Sequence, residues 1–87
     1  MRRISSVASS MELFRKANQL IPGGTQLISR RPSRFAYGVS PVYADRALGS
    51  HIWDVDGNEY IDWVSDIGAV ILGYCDPVVD AAVIQEM

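Results

Sequence analysis

The chain has 87 residues, 48% of them hydrophobic and 21% charged, with a net charge of −2. That balance excludes an intrinsically disordered chain, and seven Gly with four Pro exclude a low-complexity or collagen-like one. A single cysteine, Cys75, excludes a disulfide-stapled secreted mini-protein, and a free thiol suits a reducing, cytoplasmic setting. The length allows one domain at most, and a small one buries only about two-thirds of its surface.

Charge is split along the chain. Residues 1–40 hold seven basic groups against Glu12, a net +6, while residues 41–87 hold Arg46 against nine acids, a net −8. A basic arm that meets nucleic acid is one reading. Pairing of the two halves, with each other or with the rest of a larger protein, is the other. The bases are scattered and lack interleaved aromatics, which favours the second reading and no nucleic-acid partner. The longest apolar run, residues 67–75, is too short for the roughly 18 residues of a membrane-spanning helix. The opening MRRISSVASS is Arg- and Ser-rich without acids, as organellar leaders are, but it has no apolar h-region and is short. A frayed N-terminus fits it better.

The first element is a helix. Ser9 with Glu12 three residues on reads as a capping box, and Leu13, Phe14, Ala17, Leu20 and Ile21 form an apolar stripe. Pro22 stops it, and Gly23-Gly24 reads as a hinge. Residues 25–41 show no period, and their prolines predict an extended or looping path. An irregular stretch of that length is often functional.

Strand signals follow. Val42 to Ala44 is a short candidate, and Ala47 to Ser50 a turn. His51–Val55 and Glu59–Trp63 flank Asp56-Gly57-Asn58, a strong hairpin signature. Trp53 with Val55, and Ile61 with Trp63, predict an aromatic-lined apolar face. After an apolar, Gly-punctuated run from Val64 to Gly73, Asp76 at an N-cap and Pro77 at the first helical position open a second helix. That helix is still apolar at Met87 and carries no stop signal, so the reading is an α+β fragment, 1–87, of a truncated chain.

Candidate chemistry is sparse. Asp54-Val55-Asp56-Gly57-Asn58 lacks the spacing of a calcium loop, since Gly57 follows the second Asp directly and Ser65 stands at the twelfth position. Gly23-Gly24 matches neither phosphate-binding loop pattern. One His, His51, and one Cys build no metal site unaided, and Cys75 reads as a small buried side chain. Lys16, the single lysine, lies on the outer side of the first helix and is a poor Schiff-base candidate.

Three motifs in order carry a resemblance over nearly the whole chain. Leu13-Phe14 through Leu20-Ile21-Pro22-Gly23-Gly24 is similar to LFERAKQLIPGG. Gly49 to Asp62 is similar to GAYLWDVDGNRYIDY. Leu72-Gly73 with Pro77 is similar to LGHxHP. Together these resemble the N-terminal part of the class-III pyridoxal-phosphate (PLP) aminotransferases, with a lean towards glutamate-1-semialdehyde 2,1-aminomutase.

The resemblance implies the helix and small antiparallel sheet of a fold-type-I minor domain. The full-length enzyme would be a homodimer using PLP to move an amino group on an amino-acid-type substrate. It also implies that Arg30 meets the substrate carboxylate, that the PLP lysine lies downstream, and that these residues alone are inactive. The chain departs from the aminomutase pattern at Gln26 to Ser29, at Ile67 where an aromatic stands, and at Tyr74-Cys75. Other class-III enzymes, acting on an ω-amino acid or amino sugar, are the neighbouring alternative. A non-catalytic interaction module is the alternative outside enzymes.

Overall fold

The computed structural model describes residues 6–87, so the first half of the leader-like opening lies outside the described residues. One helix, α1 (Ala8–Leu20), leads into three short 3-10 turns, at Pro22–Gly24, Ile28–Arg30 and Pro32–Arg34. A three-stranded antiparallel sheet follows in the order β1 (Ala44–Leu48), β2 (His51–Asp54), β3 (Glu59–Ile61). A left-handed turn at Ser65–Gly68 and a second helix, α2 (Pro77–Glu86), complete the path.

The expected helix forms, but the expected capping box does not. Val7 occupies the cap position and makes no side-chain cap bond, while the Ser6 hydroxyl accepts from Ala8 N at 3.1 Å. Ser9 lies inside the helix, and Glu12 pairs instead with Arg15 one turn on. The next two amide donors are satisfied from the hairpin: Ser9 N donates to Asp56 Oδ1 at 2.6 Å and Ser10 N to Asp56 Oδ2 at 2.9 Å. A carboxylate from a distant turn outcompetes a local hydroxyl because it accepts two amides at once and its negative charge complements the helix dipole.

Strand boundaries move from the expectation. The first strand starts at Ala44, where Val42 to Ala44 was the candidate, and it runs through Ala47-Leu48, so only Gly49-Ser50 makes the turn. The second and third strands end at Asp54 and Ile61, short of Val55 and Trp63. The register sets His51 against Ile61 and Trp53 against Glu59. Trp53 and Ile61 share a face, but with His51 and Glu59, and Val55 and Trp63 lie outside the ladder, so the expected aromatic-lined apolar face is incomplete. Trp63 lies beyond the ladder, 89% exposed, and Trp53 is covered by Arg46, whose Cζ sits 3.7 Å from the ring centroid. His51 stacks on the other flank of Trp53, with ring centroids 6.0 Å apart.

The turn between β2 and β3 is where burial concentrates. Asp54 is 2% exposed, and its carboxylate accepts four hydrogen bonds: from Asp56 N, Asn58 N, Asn58 Nδ2 and the Tyr60 hydroxyl. Asn58 also donates to the Ser6 carbonyl at 2.6 Å. A buried carboxylate is tolerable only when its lone pairs are filled this way. The Asp-Gly-Asn segment is thus a turn, as expected, and in addition the seat of α1.

Gly23-Gly24 is a packed crossing point and not a hinge. Both glycines have φ near +77°, and Gly24 is buried. A methyl group on Gly24 would lie 2.5 Å from Phe14 Cε1. On the opposite side the Tyr43 hydroxyl donates to the Gly24 carbonyl at 3.2 Å. Residues 25–41 are irregular, as their prolines require. α2 starts as read, with the Asp76 side chain accepting from Val78 N and Val79 N. Cys75 corrects its reading: it is exposed, at φ +56°, and its thiol donates to the Ala47 carbonyl at 3.3 Å. A bulky neighbour set to bury it is lacking because α2 lies against little of the described chain.

Candidate functional site

The irregular segment and the sheet enclose an open groove of about 530 Å³. Pro32 and Phe35 line one side, Val42, Tyr43 and Ile52 the other, and Arg30 and Asp54 are the two charged residues that reach it. Asp54 is committed to the four hydrogen bonds of the hairpin turn. No carboxylate oxygen among the described residues lies within 4 Å of the Arg30 guanidinium. The groove is mostly apolar, with Thr25 and Gln26 on its lining and a guanidinium that has no carboxylate within 4 Å among the described residues. A guanidinium placed so takes a carboxylate through two parallel hydrogen bonds.

The three neighbouring arginines are separated by the fold. Arg30 closes the turn Ile28–Arg30, is half-buried and lines the groove. Arg34 is exposed. Arg31 folds back over Gly23 and does not line the groove.

A second cluster lies after β3. Asp62 accepts from Val64 N at 2.8 Å and Ser65 N at 3.1 Å. The Val64 amide holds its carboxyl below the usual carboxylate range. Partial burial opposes this, and the Tyr74 hydroxyl, the Ser65 amide and the positive field of Arg30 reinforce it. Burial, and then the Asp62 carboxylate, push the Tyr74 hydroxyl up. Asp62 and Tyr74 share a small cavity of about 130 Å³ with Gly49, Ser50 and Ser65. Beneath the first groove, burial and the Asp54 carboxylate push the Tyr60 hydroxyl up to about 12.

The remaining candidates fall apart. His51 Nδ1 lies 2.9 Å from Glu59 Oε1 without the geometry of a hydrogen bond, and the Cys75 thiol donates to the Ala47 carbonyl, so the two do not form a dyad. Lys16 is exposed on α1. The described residues place no lysine in a cavity and no ring of amides around a phosphate-sized space, so they do not fit a PLP site. The contribution missed from sequence is that of Asp56. Its partners lie 46 and 47 residues away, and no local spacing announces them.

Residues 34–87 match the family Aminotransferase class-III. The chain belongs to the class-III aminotransferases. It is 46% identical over 81 residues to 3-aminobutyryl-CoA aminotransferase from Cloacimonas acidaminovorans, covering 93% of this chain and 19% of that protein. It is 43% identical over 77 residues to glutamate-1-semialdehyde 2,1-aminomutase 2 from an Exiguobacterium species, covering 88% and 17%. Among solved structures it is similar to an omega-transaminase from Sphaerobacter thermophilus, with a TM-score of 0.76 at 33% identity over 90% of this chain and 17% of that one. It is also similar to the FumI protein of Sphingopyxis sp. MTA144 in its PLP internal aldimine form, with a TM-score of 0.78 at 32% identity over 91% and 19%. The class-III chain thus spans under a fifth of the length of these relatives. The expected helix-plus-sheet arrangement of PLP transaminases is the one observed.

Proposed function

We propose that residues 1–87 are the N-terminal segment of a PLP-dependent class-III enzyme that moves an amino group on a carboxylate-bearing, amino-acid-type substrate. Membership of the family carries this reading. Aminomutase and aminotransferase both stand among the similar proteins, and 3-aminobutyryl-CoA aminotransferase and the omega-transaminase favour intermolecular transfer as the second reading. The full-length protein is read as a cytoplasmic homodimer. No described helix is long and apolar enough to cross a membrane.

PLP, when bound, supplies the electron sink for amino transfer. In this reading its lysine and phosphate cradle come from elsewhere in the full-length protein, because Lys16 is unsuited to the task. This segment supplies Arg30, which binds the substrate carboxylate in a mostly apolar groove. Support comes from the absence of a carboxylate within 4 Å of Arg30 among the described residues, and from the position of Arg30 on the groove wall.

The test is Arg30→Ala in the full-length protein on two matched amines, one acidic and one neutral. A hydrogen bond to a charged group is worth about 1.5–3 kcal/mol, so kcat/KM for the acidic amine falls roughly ten- to a few hundred-fold, while the neutral amine is nearly indifferent. Equal loss on both amines means that Arg30 holds structure, and no loss on either means that it faces water. A natural reading frame that stops after Met87 would leave a non-catalytic module instead.

A further inference from the structure

We propose that Arg31 is the positioning residue for Arg30, and that Gly23 is glycine so that Arg31 can lie against it. The proposal rests on the reading of Arg30 as the carboxylate anchor. Arg31 joins two 3-10 turns. Its amide donates to the Ile28 carbonyl at 3.2 Å, closing the turn that carries Arg30, and its carbonyl accepts from Arg34 N at 2.9 Å, opening the next. The backbone at this joint is extended, with φ −61° and ψ 138°. The backbone of Arg30 is tied by one bond of the same turn, from its amide to the Leu27 carbonyl at 3.1 Å. The direction of Arg30 therefore depends on what fixes the joint.

What fixes the joint is the Arg31 side chain. Its guanidinium covers Gly23 so closely that a methyl group there would lie 2.4 Å from Nε and 2.6 Å from Cζ and Nη2. Nε is shielded from solvent and has no hydrogen-bond partner among the described residues. A buried donor left unpaired is costly, so this packing is not driven by the hydrogen bond of that atom. The flat guanidinium fits the bare backbone of Gly23, and the next residue, Gly24, is itself held by Phe14 of α1 and by the Tyr43 hydroxyl. The glycine is required twice, for φ +77° and for the space. A continuous path of contacts thus runs from α1 through Gly23-Gly24 and Arg31 to Arg30.

The experiment uses the full-length protein with Arg31→Ala, Gly23→Ala, Arg30→Ala and the double variant Arg30→Ala/Arg31→Ala, on the same acidic and neutral amines. Misplacing a binding group by an ångström costs up to about a hundred-fold, so Arg31→Ala raises KM for the acidic amine roughly ten-fold or more. kcat and the neutral amine change little. In the double variant, removal of Arg31 adds nothing further for the acidic amine, because the group it positions is already gone. Gly23→Ala gives the same split. If it fails to fold, Arg31→Ala, which only removes atoms, still decides. Wild-type KM for Arg31→Ala overturns the proposal, as does equal loss on both amines or an additive loss in the double variant. A selective loss for Arg30→Ala in those same assays leaves the anchor reading standing. Its absence overturns the anchor reading first.

Discussion

Asp56 sits at the tip of a hairpin, yet its two carboxylate oxygens receive the first amides of a helix 46 and 47 residues earlier. Partial burial pushes its pKa up, but the Ser10 and Ser9 amides outweigh this and hold it below the ordinary carboxylate value. A group whose folded pKa is lowered stabilises the fold above its unfolded pKa, and the contribution is lost as pH falls through the folded value. The clamp is therefore intact at neutral pH and is lost only as pH falls below the ordinary carboxylate range. The protection of the Ser9 and Ser10 amides, measured against their intrinsic exchange rates at each pH, should fall over that range. Asp56→Asn should flatten the dependence, and Asp56→Ala should cost about 1 kcal/mol, as the loss of a helix cap does. At this scale the turn was legible in Asp56-Gly57-Asn58 because its chemistry is local. The cap was misassigned to Ser9 because its true acceptor is remote in sequence. Arg30 was singled out from motif position, while its separation from Arg31 and Arg34 is a property of two consecutive 3-10 turns that no periodicity encodes.

Among the elements, those with local signals form as read. Asp76-Pro77 caps and opens α2 with bonds to Val78 N and Val79 N, all within three residues. Strand ends moved because the antiparallel ladder is ended by register and by the Asp54-centred turn, not by β-propensity. The left-handed turn at Ser65–Gly68 was not legible. Ser65, Asp66 and Ile67 have φ of 51°, 49° and 58°, a conformation costing roughly 1–2 kcal/mol per non-glycine residue. A β-branched Ile67 in that region runs against its own preference, so the surrounding chain must impose it. The Gly23-Gly24 crossing makes a sharper forecast. Gly24→Ala combines φ +76° with a contact 2.5 Å from Phe14. Strain and overpacking together should destabilise α1 packing by about 1–3 kcal/mol, read as a lower midpoint in urea unfolding. Gly57→Ala, where nothing lies within 4 Å of the added carbon, should suffer the backbone strain alone and lose less.

On the scale of the whole chain, apolar residues outnumber the places to bury them. The accessible surface is 6819 Å², against about 5,100 Å² for a compact monomer of this mass. The radius of gyration is 14.5 Å, against about 12 Å for a compact domain of this length. Val7, 5% exposed, is the one aliphatic or aromatic side chain buried among the described residues, while Ile71, Val78 and Ile84 of the C-terminal third are 83%, 78% and 70% exposed. α2 is apolar nearly all round, with Asp80, Gln85 and Glu86 its only polar side chains, the pattern of a helix enclosed within a larger body. Surface of this kind drives association or burial against further chain. It agrees with a segment that spans under a fifth of its relatives. This was legible in outline, since an apolar helix without a polar face is visible in the residues themselves.

In the proposed reading these 87 residues hold a hydrogen-bonded hairpin–helix unit but bury almost no apolar core of their own. Thermal unfolding of the isolated chain, followed by Trp53 and Trp63 fluorescence at several concentrations, tests it most directly. The account predicts a broad transition whose midpoint shifts with concentration, because the exposed apolar faces pair with one another. A single sharp transition, independent of concentration and from a monodisperse monomer, would contradict it.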